Sequence, residues 1–351
     1  MDLCPGDRLF YYTTCGWMMW NWLVSGLACG ATLILYDGSP TAPATDSLWQ
    51  MAEDEGVTVF GTSARYLASL EKLNIRPADN YALSKLKTIL STGSPLSAES
   101  FRYVYRDIKA DVCLASISGG TDIISCFALG NVCLPVYAGE LQCAGLGMDM
   151  DVVNDHGASI RGEKGELVCR QPFPAMPTGF WQDPQGEKYQ AAYFERFADI
   201  WAQGDYAEIT EHNGIIIHGR SDAVLNPGGV RIGTAEIYRQ VEKVTAVVDA
   251  ICVGQSWQDD VRVVLFVVLR DGLVLDATLE QQIRAIIRTN ATPRHVPAKI
   301  IQVADIPRTI SGKIVELAVR NIIHGQPVNN TDALANPEAL AYFHDIPALS
   351  Q

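Results

Sequence analysis

The chain has 351 residues, 48% apolar and 19% charged, with a formal net charge of −13 and a pI near 4.9. That length and apolar content suit two or three domains, each with its own core, and exclude a disordered chain. The acidic balance, without any run of Lys or Arg, excludes a surface built to neutralise nucleic-acid phosphates, so a phosphate ligand must be held locally.

Nine cysteines (Cys4, Cys15, Cys29, Cys113, Cys126, Cys133, Cys143, Cys169, Cys252) are scattered without a C-x-x-C pair that would suggest zinc or redox chemistry. They read as reduced, mostly buried thiols, and a cytoplasmic location is expected. The start, MDLCPGD, has no basic region before an apolar core, so no secretory signal is expected and the sequons at Asn290 and Asn329 read as chance matches.

Residues 15–36, CGWMMWNWLVSGLACGATLILY, carry no charge and are long enough to cross a bilayer. Asn21, Ser25 and three glycines interrupt the run, and ATLILYDGSP ends in a turn. A buried helix followed by a buried strand is expected, and no membrane insertion. From 1 to about 137, helical and strand-like segments alternate: WMMWNWLVSGL then ATLILY, MAEDEG then VTVFG, LSKLKTILSTGS, then ADVCLASISGG. Such alternation predicts parallel strands with covering helices and ligand-binding loops at the strand ends. Two Gly/Ser/Thr-rich loops qualify, STGSPL at 91–96 and SISGGTD at 116–122, whose N–H groups and hydroxyls can approach a nucleotide closely.

From 138 to 221, short strands separated by Gly and Asp turns predict a β-rich subdomain, a small antiparallel barrel or sheet. After GRSDAVLNPGGVRIG, a helix at TAEIYRQVEKV, strands at VVDAICVG and VRVVLFVVL, and a helix with the stripe Leu279, Ile283, Ile286, Ile287 predict an α+β domain over 222–325. Residues 326–351 form a tail, a polar linker and then a weakly helical ALANPEALAYFHDI. The expected fold class is therefore α/β plus α+β: part of a large α/β lobe over 1–137, a small β-barrel subdomain, and a mobile C-terminal domain.

One segment of that domain, IPRTISGKIVE at 306–316, places Lys313 after a turn of Pro307, Ser311 and Gly312 and before a helical run of Ile314, Leu317 and Ala318. Alone it reads as a solvated lysine at a helix start. Taken singly, Asp205 reads as a turn aspartate, Arg220 and Asp222 as a surface ion pair, and Thr121 with Asp122 as a helix cap. His212 and His218 have no partners suggesting a metal, and read as structural.

The order of motifs says more than any one of them. STGSPL, SGGTD, GELVCR, WAQGD, GRSDAVLNPGGVRIGTAEI and IPRTISGKI, spread over most of the chain, resemble the acyl-adenylate-forming family. PGDRLFYYTTCGWMMWNWLVSGLACGATLILYDGSP, SISGGTDI and the NPEAL ending resemble its acetoacetate-activating branch. The resemblance implies ATP-dependent joining of acetoacetate to coenzyme A through an acyl-adenylate, with Mg²⁺. It implies that Gly93, Ser94 and Pro95 contact adenine, that Thr121 binds the α-phosphate, and that Asp122 helps hold Mg²⁺. It further implies that Asp205 accepts the ribose hydroxyls and that Arg220 lies near ribose and phosphate. Asp222 would be the hinge of the C-terminal domain, and Lys313 would enter the adenylation site. Gly228, Gly229 and Arg231 would meet CoA in a second domain orientation, and Trp17 would lie in the acyl-pocket wall, where a core aromatic is the other reading.

Two departures stand out. Ser118 occupies a position where many relatives carry an aromatic for adenine to stack on. Met1 falls well inside the large domain of such an enzyme, and the Ser/Thr/Gly-rich loop whose lysine grips the β- and γ-phosphates is not among these residues. About half of a full-length relative is then expected to be missing, leaving apolar faces of 9–137 exposed unless another chain covers them. A remnant that binds nucleotide or CoA without turnover, and a ligase for another short-chain acid, are the alternatives.

Overall fold

Parallel strands need crossovers, and the first half of the chain supplies them in turn. The computed structural model describes residues 2–258, 260–310, 312–328 and 331–350, so the turn residue Ser311 and the sequon at Asn329 lie outside the described residues. In chain order come β1 (Arg8–Tyr11), α1 (Met18–Ser25), β2 (Thr32–Ile34), α2 (Ser47–Asp54), β3 (Val59–Ser63), α3 (Ala64–Lys72), α4 (Pro77–Asn80), β4 (Thr88–Thr92), α5 (Ala98–Tyr103) and β5 (Cys113–Ser116). They build one sheet in the order β2–β1–β3–β4–β5, every neighbouring pair parallel. Its strands are apolar on both faces: Phe10, Phe60, Ile89 and Leu114 enter one core, and Leu9, Val59, Leu90 and Ala115 the other. That two-sided burial explains why these strands read as continuous apolar runs.

The long uncharged stretch resolves into the eight-residue helix α1, a short 3₁₀ turn and the edge strand β2. Among the described residues no helix is long and apolar enough to cross a membrane. Val24, Leu27 and Leu35, on and around these elements, are exposed. The nine cysteines are free thiols, but the expectation that most are buried fails. Cys4, Cys15, Cys29 and Cys133 are exposed and only Cys169 and Cys252 are buried, because the exposed four fall on turns and connections rather than on strands.

A three-stranded sheet follows, β6 (Ser118–Gly120), β7 (Ser125–Leu129) and β8 (Cys143–Ala144). SISGGTD, expected as a loop after a strand, is thus part strand and part hairpin turn. β9 (Met150–Val153), β10 (Lys164–Cys169), α6 (Glu187–Tyr193), β11 (Trp201–Ile209) and β12 (Ile215–Arg220) come next. The strands order β12–β11–β10–β9. The expected barrel is therefore corrected to an open sheet among the described residues: four strands of four to nine residues are too few to curl closed.

The chain divides into two compact units, Met1–Gln203 with Ala207–Ile216, and Gly204–Tyr206 with Ile217–Gln351. The second contains α7 (Thr234–Val241), β13 (Val247–Trp257), β14 (Asp260–Leu269), α8 (Ala277–Asn290), β15 (Lys299–Gln302) and α9 (Glu316–Ile323). β13 and β14 are antiparallel and β14 and β15 parallel. Along β14, Val263, Leu265 and Val267 face α7 and α8, while Val264 and Phe266 face α9 and the tail. Ile283 and Ile287 of the α8 stripe are fully buried, with Leu279 and Ile286 at its edge. The tail forms 3₁₀ turns at Thr331–Ala333, Pro337–Phe343 and Pro347–Ser350 and inserts Phe343 against Phe266.

Candidate functional site

In the first unit, the site residues gather where β4 and β5 end. Thr92, the last residue of β4, donates its hydroxyl to the carbonyl of Ile117 at 2.8 Å, which ties the Gly93–Ser94–Pro95 turn to the strand entering the hairpin. Gly93 has φ +92, a conformation that disfavours any side chain. The hairpin from β6 to β7 turns through Thr121, Asp122, Ile123 and Ile124, closed by the Ile124 N–H donating to Gly120 O at 3.1 Å. Ile124 has φ +48, which costs a β-branched residue on the order of 1–3 kcal/mol, so the neighbours over-determine this turn. Thr121 and Asp122 are exposed at its tip. Gly120 leaves room for them: a Cβ there would collide with Asp122 Oδ1 and stand 2.7 Å from Gln203 Nε2.

Asp122 has a partner that the motif did not reveal. Tyr193 of α6 donates its hydroxyl to Asp122 Oδ2 at 2.6 Å. Its ring stacks on Trp201 with centroids 3.6 Å apart and an interplanar angle of 14°, and the Trp201 indole donates to Gln203 Oε1 at 2.8 Å. Trp201 and Gln203 lie inside WAQGD, which could have pointed to them; Tyr193, 71 residues from Asp122, left no local signal. Trp17 precedes α1, half-buried, packed against the second core and edge-on to Tyr11 at 6.0 Å.

In the second unit, Asp205 is 8% exposed, and Arg220 Nη1 donates to its Oδ1 at 3.2 Å. Gly204, at φ +78, makes space for that guanidinium, since a Cβ would lie 2.7 Å from Arg220 Nη2. Arg220 also stands 3.8 Å from Asp222, so the expected surface pair is shared with a buried carboxylate. The Asp222 carbonyl accepts from Arg320 of α9 at 2.9 Å. Gly228 and Gly229 have φ +58 and +76, and the Gly228 N–H donates to both carboxylate oxygens of Asp260 at 3.0 Å; Arg231 nearby in sequence is exposed.

Lys313 is exposed on a short hairpin. Its N–H donates to Thr309 Oγ1 at 3.0 Å, its carbonyl accepts from the Thr309 N–H at 2.8 Å, and Ile314 bridges back to Arg308. Arg308 holds the hairpin: it pairs with Asp249 through bonds of 2.6, 2.7 and 3.1 Å and donates to Gly312 O at 2.7 Å. The helix begins three residues beyond Lys313, at Glu316. The Glu316 carboxylate accepts from Tyr238 at 3.1 Å, and burial pushes its pKa up.

His212 stacks on Tyr137 at 3.7 Å, and His218 is buried. No group of three or more His, Cys, Asp or Glu that could hold a metal occurs among the described residues.

Residues 1–181 match the family model described as AMP-binding enzyme, and residues 239–313 the AMP-binding enzyme C-terminal domain. Acetoacetyl-coenzyme A synthetase of Rhizobium meliloti is 63% identical over 97% of this chain and 52% of that protein. Acetoacetyl-CoA synthetase of Gallus gallus is 49% identical over 99% of this chain and 52% of its own length. Acetoacetyl-CoA synthetase from Streptomyces lividans superposes with a TM-score of 0.92 at 42% identity, over 100% of this chain and 54% of that one. The chain thus spans about half the length of the relatives it matches.

Proposed function

The chain belongs to the AMP-binding enzyme family, and from that premise we propose that it serves the ATP-dependent ligation of acetoacetate to coenzyme A in the cytoplasm. The observation that carries this reading is the 63% identity, across nearly the whole chain, to a protein named for that reaction. In the first step an acetoacetate carboxylate oxygen attacks the α-phosphorus of ATP and the bond to pyrophosphate breaks. In the second the CoA thiolate attacks the acyl carbon and AMP leaves.

Gly93, Ser94 and Pro95 receive adenine, Asp205 the ribose hydroxyls, and Thr121 the α-phosphate. Arg220, held by Asp205, brings positive charge beside ribose and phosphate. Asp122 fits Mg²⁺: a single exposed carboxylate beside a hydroxyl suits a cation that takes one or two protein carboxylates and fills its shell with phosphate oxygens and water. When bound, that ion neutralises charge on the phosphates. Lys313 carries a compact ammonium on a long stem, suited to the charge that gathers at the α-phosphate. Asp222 is the hinge residue, and Gly228, Gly229 and Arg231 receive CoA, the glycines through close backbone approach and the arginine through phosphate. Trp17 stands near the acyl group.

The test is acetoacetate-dependent exchange of pyrophosphate into ATP by the purified chain and by Lys313→Ala. Exchange that falls about 100-fold or more in the variant supports the reading, on the scale of losing one preorganised electrostatic group. Equal exchange in both, or none from the folded chain, removes it.

A further inference from the structure

Four residues of the first unit, spread over 82 positions, join into one path that ends on a carboxylate oxygen. Gln203, nearly buried, accepts from the Trp201 indole. Trp201 is 2% exposed and walled edge-on by Phe173, Tyr189 and Phe194. Its open face carries the ring of Tyr193, and Tyr193 delivers its hydroxyl to Asp122 Oδ2 at 2.6 Å. Tyr189 and Tyr193 share a face of α6 at i, i+4 spacing, so the helix presents both rings to the same wall.

A phenol stacked this way has lost its ring rotation before any ligand arrives, and its hydroxyl can reach one of the two carboxylate oxygens. The other side of Asp122 is constrained as well. Oδ1 occupies the space where a Cβ of Gly120 would be, and the turn carrying Asp122 is held in the strained conformation marked by Ile124.

We propose that Tyr193, backed by Trp201, is a positioning residue that fixes the Asp122 carboxylate, holding Oδ2 and leaving Oδ1 oriented toward the cation that accompanies the nucleotide. The proposal rests on the reading of Asp122 as that cation's ligand. A hydrogen bond from an aromatic hydroxyl to an ionised carboxylate is of the stronger kind, and losing its orienting effect is expected to weaken cation-coupled binding about tenfold.

The experiment is equilibrium dialysis of the full chain with labelled ATP, with and without Mg²⁺, comparing Tyr193→Phe, Asp122→Asn and Tyr189→Phe. Tyr189 donates its hydroxyl to the Pro177 carbonyl at 2.8 Å, so its variant removes a phenol from the same cluster without touching Asp122. The expected result is a Mg²⁺-dependent gain in ATP affinity that drops about tenfold in Tyr193→Phe, while metal-free ATP binding and Tyr189→Phe stay unchanged. Loss of packing alone would weaken ATP binding with and without Mg²⁺ together. A full Mg²⁺ gain in Tyr193→Phe, lost in Asp122→Asn, overturns the role of Tyr193 and keeps that of Asp122. A gain untouched in Asp122→Asn, or absent from the unchanged chain, overturns the assignment of Asp122 and this inference with it.

Discussion

Arg308→Ala should loosen the hairpin that presents Lys313, and the structure gives the size of the effect. Arg308 and Asp249 are 16% and 14% exposed and share three bonds of 2.6–3.1 Å, a bidentate geometry. An exposed pair contributes at most about 1 kcal/mol, whereas removing one partner of a buried pair costs about 3–5 kcal/mol because the other charge is left uncompensated. With about five-sixths of each side chain out of water, the lower end applies, about 3 kcal/mol. For a unit of about 140 residues that corresponds to a fall in Tm of about 9 °C. Urea unfolding should show a lower midpoint with unchanged slope. A double-mutant cycle with Asp249→Ala should return a coupling of about 2 kcal/mol or more. A coupling below about 0.5 kcal/mol would put the pair in the surface class and refute the argument.

Gly120→Ala should leave the fold intact, because the φ of Gly120 is not in the left-handed region, yet displace the Asp122 carboxylate its Cβ would strike. Thermal unfolding within a few degrees of the parent, with Mg²⁺-coupled ATP binding reduced roughly 100-fold, is the expected pair of results; undisturbed binding would show that Asp122 has slack. Glu316→Gln tests the buried carboxyl. Burial raises the folded pKa of Glu316 above its unfolded value, so its contribution is fully present below about pH 4.3 and is lost as pH rises through the folded value. The stability difference between Glu316→Gln and the parent should therefore shift in favour of the glutamine variant as pH rises from 4 toward 8. Urea unfolding across that range measures it, and a difference that does not change with pH would show that Glu316 ionises as freely folded as unfolded.

Periodicity and turn chemistry determined much of this protein directly from its sequence. β14 reads VRVVLFVVL because a central strand buries both faces. The α8 stripe follows from the 3.6-residue repeat, and the parallel sheet from strands separated by helices. The motifs also marked Asp122, Asp205, Arg220 and Lys313, because glycines and turn residues around a polar side chain are local signals. The short helices α3 and α5 were not legible: each is under ten residues and owes its stability to the core residues Leu67, Leu70 and Phe101.

Only the tertiary structure decided what holds the marked residues in place. Tyr193 meets Asp122 across 71 positions, Asp249 meets Arg308 across 59, and Arg320 meets the Asp222 carbonyl across 98. Such partners are chosen by where packed elements bring side chains together, and no periodicity along the chain encodes a distance through space. It was also three-dimensional packing that put SISGGTD into a β-hairpin, because the pairing of β6 with β7 needs backbone neighbours that lie beyond the motif.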